Sequence, residues 1–392
     1  MKIVQFGLCH SPNLGDRVIA ECMGHALRRM QPGATVEHVD ISGRDAPGAE
    51  TFRNRQLMLA VADRLPRPVR HRLARWKMGR HLDRLEDRWR AAARDADLIV
   101  IGGGQILADA NLNFPLKLNR VARIATETGA PVVIHAAGVA RNWTPEGRRL
   151  FTALQGCNLR RVALRDTMSV SAWRDQMPHG GPAPVLTADP GLLAAACYGT
   201  APVHPGRVGL CVTDFGLLAH HADGPVAGSA SGAAFYAATA ARLAKVGHEV
   251  ILFTNGATED EALLHRVGQM PECADAGVIV AARAETAAEL SELIAGCETV
   301  VAHRLHACIL AIAHGRGAVG LGWDSKLRAF FDSIGASRHF VDAPDLAAED
   351  MLHRVAQANR AQALSSAREQ AIASAWQGIR QMLDTAGERR AA

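Results

Sequence analysis

Nowhere in the sequence do two of its eight cysteines stand in a C-x-x-C pair; Cys9, Cys22, Cys157, Cys197, Cys211, Cys273, Cys297 and Cys308 are scattered singly. That spacing argues against a zinc cluster or a disulfide framework and fits a reducing compartment. No window approaches the ~20 apolar residues that a membrane-spanning helix needs. The opening M-K-I-V-Q-F-G-L-C-H lacks the long apolar core of a secretory signal, so a cytoplasmic location is expected. The loop after the first apolar run is not G-x-G-x-x-G, which removes the dinucleotide fingerprint. Gly102, Gly103 and Gly104 are not followed by Lys-Ser or Lys-Thr, which removes the phosphate-binding P-loop. Lysine is also scarce: Lys2, Lys77, Lys117, Lys245 and Lys326 are the only five.

What is present is a globular composition over 392 residues, too long for one ordinary core, so two domains are expected. The net charge of +5 is unevenly placed. Between Thr51 and Asp97 thirteen Arg or Lys face six Asp or Glu, a local +7 that leaves the remainder slightly acidic. A helical insertion is expected over about 44–95, with Trp76, Leu82, Leu85 and Trp89 among the basic residues. Such a run is most often a solvated face. Interleaved with tryptophan, it also suits peripheral contact of 51–97 with the inner membrane face. Nucleic acid is not expected, because no recognised motif accompanies the patch.

Elsewhere short apolar runs alternate with helical patterns. The expectation is an α/β protein of two doubly wound, Rossmann-like domains facing across a cleft. The first spans 1–197, the linker runs through 198–206, and the second spans 206–392 and ends in a long helical region. Parallel strands would bring their C-terminal ends to one edge, carrying Asn13, Gly15 and Asp16, then Gly103 and Gly104, then Gly138, Arg165 and Asp166. Asn13, Gly15 and Asp16 also read as a turn whose Asp caps a helix from about Val18. Arg165 and Asp166 also read as a mutual pair or a helix cap.

The most informative stretch is T-V-V-A-H-R-L-H-A-C-I-L-A-I-A-H, residues 299–314. A buried strand ends at His303 and a helix begins almost at once, so His303, Arg304 and His306 stand at a strand-to-helix junction, a place that favours anions. Lys326 leaves the next strand and would join them if the two strands are neighbours.

These pieces together resemble the polysaccharide pyruvyl transferases. The resemblance rests on N-L-G-D at 13–16, G-G-G-Q-I-L-A-D at 102–109, L-R-D-T-M-S at 164–169, D-P at 189–190, H-R-L-H-A at 303–307 and W-D-S-K at 323–326. It implies a two-domain fold of the GT-B glycosyltransferase kind. It further implies transfer of the pyruvyl skeleton of phosphoenolpyruvate to a saccharide or lipid-linked saccharide, giving a ketal and phosphate without a metal or cofactor. Arg304 and Lys326 would then bind the donor, with His306 as general acid and His303 as a second candidate for either role. Asp16 or Asp166 would serve as the base. The resemblance also implies an arginine after the first strand of the second half, where this sequence has Thr213 and Asp214. A nucleotide-sugar-dependent glycosyltransferase and a non-catalytic binding protein on the same scaffold are the competing readings.

Overall fold

The computed structural model of the chain describes residues 1–46, 67–216, 229–323, 325–342, 347–360 and 365–387. Two parallel six-stranded sheets organise it. The first comprises β1 (Lys2–Gly7), β2 (Thr35–Asp40), β3 (Leu98–Gly102), β4 (Val132–Ala137), β5 (Leu159–Leu164) and β6 (Pro184–Leu186), in the order β2-β1-β3-β4-β5-β6. The second comprises β7 (Arg207–Cys211), β8 (Glu249–Phe253), β9 (Ile279–Val280), β10 (Thr299–Ala302), β11 (Gly317–Leu321) and β12 (Phe340–Val341), in the order β9-β8-β7-β10-β11-β12. Parallel strands covered by helices on both faces must be apolar along their whole length, and L-I-V-I-G of β3 and T-V-V-A of β10 are buried at every position.

The chain packs as two compact units. One contains residues 1–11, 19–190 and 375–392, and the other contains 12–18 and 191–374. In the second unit the chain leaves β7 in one direction for β8 and β9 and returns on the other side with β10, β11 and β12. The reversal between β7 and β10 opens a crevice at the strands' C-terminal ends, where ligands bind in open α/β sheets. Thr213, Asp214, His303 and Arg304 follow these two strands directly.

In the first unit the basic segment contains one long helix, Arg67–Ala93. Residues 47–66 of the expected insertion lie outside the described residues. The helix is amphipathic in an unusual sense. Leu82, Leu85 and Trp89 enter the core, where Trp89 meets Phe6 edge-on at 6.0 Å. Trp76, on the opposite side of the helix, is exposed.

Trp89→Ala should therefore cost about 3–5 kcal/mol in urea denaturation, whereas Trp76→Ala should change stability by no more than about 0.5 kcal/mol. Equal losses for the two would contradict this division of the helix.

Candidate functional site

The second unit's switch point is built around Arg304. Its guanidinium donates through Nε at 3.0 Å and Nη2 at 2.5 Å to Oδ2 of Asp260, whose side chain has no exposed surface while that of Arg304 is 19% exposed. Asp260 lies in the first turn of the helix Thr258–Gly268, and its Oδ1 accepts the Asp214 backbone N–H at 2.9 Å. Burial pushes the Asp260 carboxyl up from its usual range, and Arg304 opposes that shift. Burial likewise works against the charge on Arg304, but Asp260 outweighs it and holds the guanidinium more firmly protonated than usual. The result is a permanent cation at the crevice, fixed from below.

His303 is 1% exposed and belongs to the core beneath. Its ring packs edge-on against Phe215 at 5.2 Å, and its Nδ1 lies 2.7 Å from the Tyr236 hydroxyl. The Thr213 N–H donates to the same phenol oxygen at 3.1 Å. One proton is shared between the phenol oxygen and Nδ1. Burial, with Arg304 adding, lowers the His303 pKa to about 3. A ring held neutral in this way positions the loop and is a poor proton donor near neutrality.

β10 and β11 are hydrogen-bonded parallel neighbours, so the exits carrying His303 and Lys326 share one edge. Trp323 joins them: its Nε1 donates to the His303 carbonyl at 2.6 Å, and the Lys326 ammonium lies 5.6 Å from its ring centroid. Asp324 lies outside the described residues.

The N-L-G-D stretch also belongs to this unit. The Leu14 N–H donates to the Asn255 carbonyl at 2.9 Å, and Arg17 Nη1 to the Glu285 carbonyl at 2.8 Å. The helix here starts at Leu14, four residues before the expected start near Val18, because Asn13 rather than Asp16 supplies the cap, its Oδ1 accepting the Gly15 N–H at 3.2 Å. Gly15 and Asp16 are thus in the first helical turn. A Cβ on Gly15 would fall 2.5 Å from Nδ1 of His306, so glycine at 15 is what lets that ring seat. His306 itself is in the first turn of the helix Leu305–Ala313 and is mostly buried.

The other residues expected from the first half, Gly103, Gly104, Gly138, Arg165 and Asp166, belong to the first unit. Gly103 and Gly104 have φ of +77° and +70°, and a Cβ on Gly102 would overlap the His135 carbonyl of β4. The glycines are therefore accounted for by a tight turn and by packing against a neighbouring strand. Arg165 Nη2 donates to Gln105 at 2.8 Å beside Gly138, and its Nε lies 3.4 Å from Asp166. Asp166 caps the helix Thr167–Gln176, accepting the Ser169 N–H at 2.6 Å. Of the two readings open for Arg165 and Asp166, the geometry is that of a mutual pair and a helix cap.

Asp260 was not among the sequence candidates. In T-E-D-E at 258–261 it reads as one of several acids favouring a helix start, and only the tertiary fold singles it out. Tyr236, inside a helical run, carried no signal either.

Solved structures with the same architecture include a UDP-N-acetylglucosamine 2-epimerase (TM-score 0.56, 9% identity, 97% of this chain and 94% of that one) and the UDP-GlcNAc 2-epimerase of Neisseria meningitidis (TM-score 0.54, 10% identity, 98% and 99%). A glycosyltransferase from Rickettsia africae is similar too (TM-score 0.52, 11% identity, 99% and 98%). At these identities the likeness defines the fold, an α/β protein of the GT-B type. No protein of curated function matches the sequence. The polysaccharide pyruvyl transferase family model matches residues 13–325, from the first residue of N-L-G-D to the serine before Lys326, and the chain belongs to that family.

Gly15→Ala should destabilise by about 1–3 kcal/mol as the His306 ring is displaced. Gly79→Ala, where a Cβ meets nothing within 4 Å in the helix Arg67–Ala93, should stabilise by about 0.4–1 kcal/mol. Denaturation midpoints of the two variants in opposite directions check this. A second expectation concerns pH. His135 and His303 are both held neutral by burial, with pKa values lowered to about 3. Below an unfolded pKa of about 6.5 the unfolded chain binds the protons that the folded chain refuses. Stability present at neutrality is then lost as pH falls from there towards about 3, at up to about 1.4 kcal/mol per pH unit per histidine. Midpoints that do not fall between about pH 7.5 and pH 5 would refute the neutral assignment.

Proposed function

We propose that the protein transfers the pyruvyl group of phosphoenolpyruvate to two hydroxyls of a saccharide, forming a cyclic ketal and releasing inorganic phosphate. The observation that supports this reading best is the meeting of N-L-G-D with H-R-L-H at the second sheet's switch point, where Arg304 is held charged by Asp260 and Gly15 seats His306. Phosphoenolpyruvate carries a carboxylate and a phosphate close together and calls for fixed cations. Two of the five guanidinium N–H donors of Arg304 engage Asp260, and the guanidinium can present others to an anion. Lys326 and the first-turn N–H groups of the helix Leu305–Ala313 add to the same attraction.

Chemically, His306 gives a proton to the methylene carbon, leaving an oxocarbenium-like centre at the adjacent carbon. A sugar hydroxyl adds there and loses its proton to a base. The bond to the phosphate oxygen breaks, phosphate departs with the electron pair, and a second hydroxyl closes the ketal while losing its own proton. Asp16, next to the glycine that seats His306, is the base in this scheme, since Asp166 is engaged as a helix cap. His303 fixes the loop that carries Arg304. The acceptor is a saccharide of cell-surface polysaccharide or glycoconjugate synthesis.

Millimolar phosphoenolpyruvate should raise the melting temperature of the wild type. Arg304→Lys, which keeps a charge for Asp260 but loses the planar fork, should weaken donor binding about 10–100-fold. Phosphate release in the presence of a saccharide panel, with the ketal methyl group read by NMR, checks the reaction. Stabilisation by nucleoside diphosphates and none by phosphoenolpyruvate would sink the proposal in favour of a nucleotide-linked donor.

A further inference from the structure

The helix Arg67–Ala93 has an apolar face that the core does not use. At about 100° per residue, Val69, Leu73, Trp76 and Arg80 fall within about 60° of one another on its surface. Val69 is 50% exposed, Leu73 47% and Trp76 57%. Met78, Leu82, Leu85 and Trp89 lie on the opposite side and pack into the first unit, and His71 and Arg75 pair with Glu146. The helix is thus anchored by one face while a row of large apolar side chains on the other meets water.

The charge around that row has one sign. From Arg67 to Leu82 there are five arginines and Lys77, and not one Asp or Glu. Arg72 flanks the row and is exposed, and the Arg80 guanidinium stacks over the Trp76 ring at 4.7 Å from its centroid. The first acid of the helix, Asp83, is bound to Arg120 at 2.8 Å and stands beyond the row's end. Among the described residues no helix is long and apolar enough to cross a membrane.

We propose that this face, Val69, Leu73 and Trp76 edged by Arg72 and Arg80, rests on an anionic lipid bilayer. The chemistry that fits is a surface with an apolar layer a few ångströms beneath negative headgroups. Valine and leucine enter the acyl boundary, tryptophan sits at headgroup depth, and the arginines meet phosphates. Nucleic acid would engage the arginines but leave Val69 and Leu73 in water. The proposal stands on this helix alone and does not depend on the donor. It specifies where the acceptor is met: a saccharide carried on a lipid would be presented at the surface that holds the enzyme.

The test is co-sedimentation of the full chain with vesicles of phosphatidylcholine alone and of phosphatidylcholine with about 30% phosphatidylglycerol. Binding should be seen with the anionic vesicles, and should weaken as salt rises from about 0.1 M to about 0.5 M. Leu73→Glu and Trp76→Glu, both at exposed positions, should each reduce partitioning about tenfold or more with an unchanged denaturation midpoint. Arg72→Glu combined with Arg80→Glu should abolish the preference for anionic lipid. No sedimentation of the wild type with anionic vesicles, or equal sedimentation of Trp76→Glu, overturns the proposal. So does a self-association, or a binding to duplex DNA, that Trp76→Glu abolishes while lipid binding is absent. Iodide quenching distinguishes the last alternative: Trp76 emission protected without lipid would mean that the chain itself covers this face.

Discussion

A guanidinium placed over a carboxylate that has no contact with water is the constraint on which the second unit's edge depends. Taking such charges out of water costs several kcal/mol each, and the Asp260–Arg304 pair recovers this only because its geometry is tight and the Asp214 N–H satisfies the second carboxylate oxygen. Net stabilisation is therefore a weak explanation for the pair. What the arrangement does provide is position. Three segments, the exits of β7 and β10 and the start of the helix Thr258–Gly268, are tied to one carboxylate. A cation whose place is set before a ligand arrives needs little reorganisation when an anion binds, which is how electrostatic stabilisation becomes effective in a site of low dielectric.

The same edge shows why the two histidines of H-R-L-H are not equivalent. They are three residues apart, with a strand end and a helix start between them. The first is drawn into the sheet, packed against Phe215 and bonded to Tyr236, whose hydroxyl also accepts the Thr213 N–H. The second begins the helix and rests on the Cα of Gly15. Spacing alone treats both as polar groups at a junction; burial divides them into one that shapes the loop and one set against the N-L-G-D turn.

The strands were legible because parallel, doubly covered strands need unbroken apolar runs, and V-V-I-H-A-A and T-V-V-A have few other uses. That the exits carrying His303 and Lys326 share an edge was conditional on their strands being neighbours, which the sheet order shows. Asp260 was illegible for a physical reason. An acid in the first turn of a helix is already explained by the helix dipole, so nothing in T-E-D-E marks the acid that meets Arg304. The glycines at 102–104 suit a ligand or a close neighbour equally well on sequence; for Gly102 the structure shows a close neighbour, the His135 carbonyl. Of the basic segment expected to be amphipathic and helical, Arg67–Ala93 is one helix, with both of its sides carrying large apolar residues. Leu82, Leu85 and Trp89 lie on the side of the helix opposite Trp76, and the sequence pattern alone does not say which of the two sides the core takes.

Thr213 and Asp214, which stand where an arginine is expected, acquire a role once that network is drawn. An aspartate after β7 is unfavourable for an anionic donor if its charge faces the crevice unopposed. Here the Asp214 carboxylate accepts the Gly216 N–H at 2.7 Å and lies 3.8 Å from Arg266, while its backbone holds Asp260. Thr213 contributes through its backbone too, as the donor to Tyr236. Both positions therefore act on the arginine and histidine that follow β10 through main-chain groups. An arginine side chain introduced at 214 would keep the main-chain contacts and add a second cation near Arg304, with Asp260 already engaged. Under the proposed donor, the burden of binding an anion would fall on Arg304, Lys326 and the helix start. Arg304 is held there by Asp260 and keeps further guanidinium N–H groups that such a donor could engage.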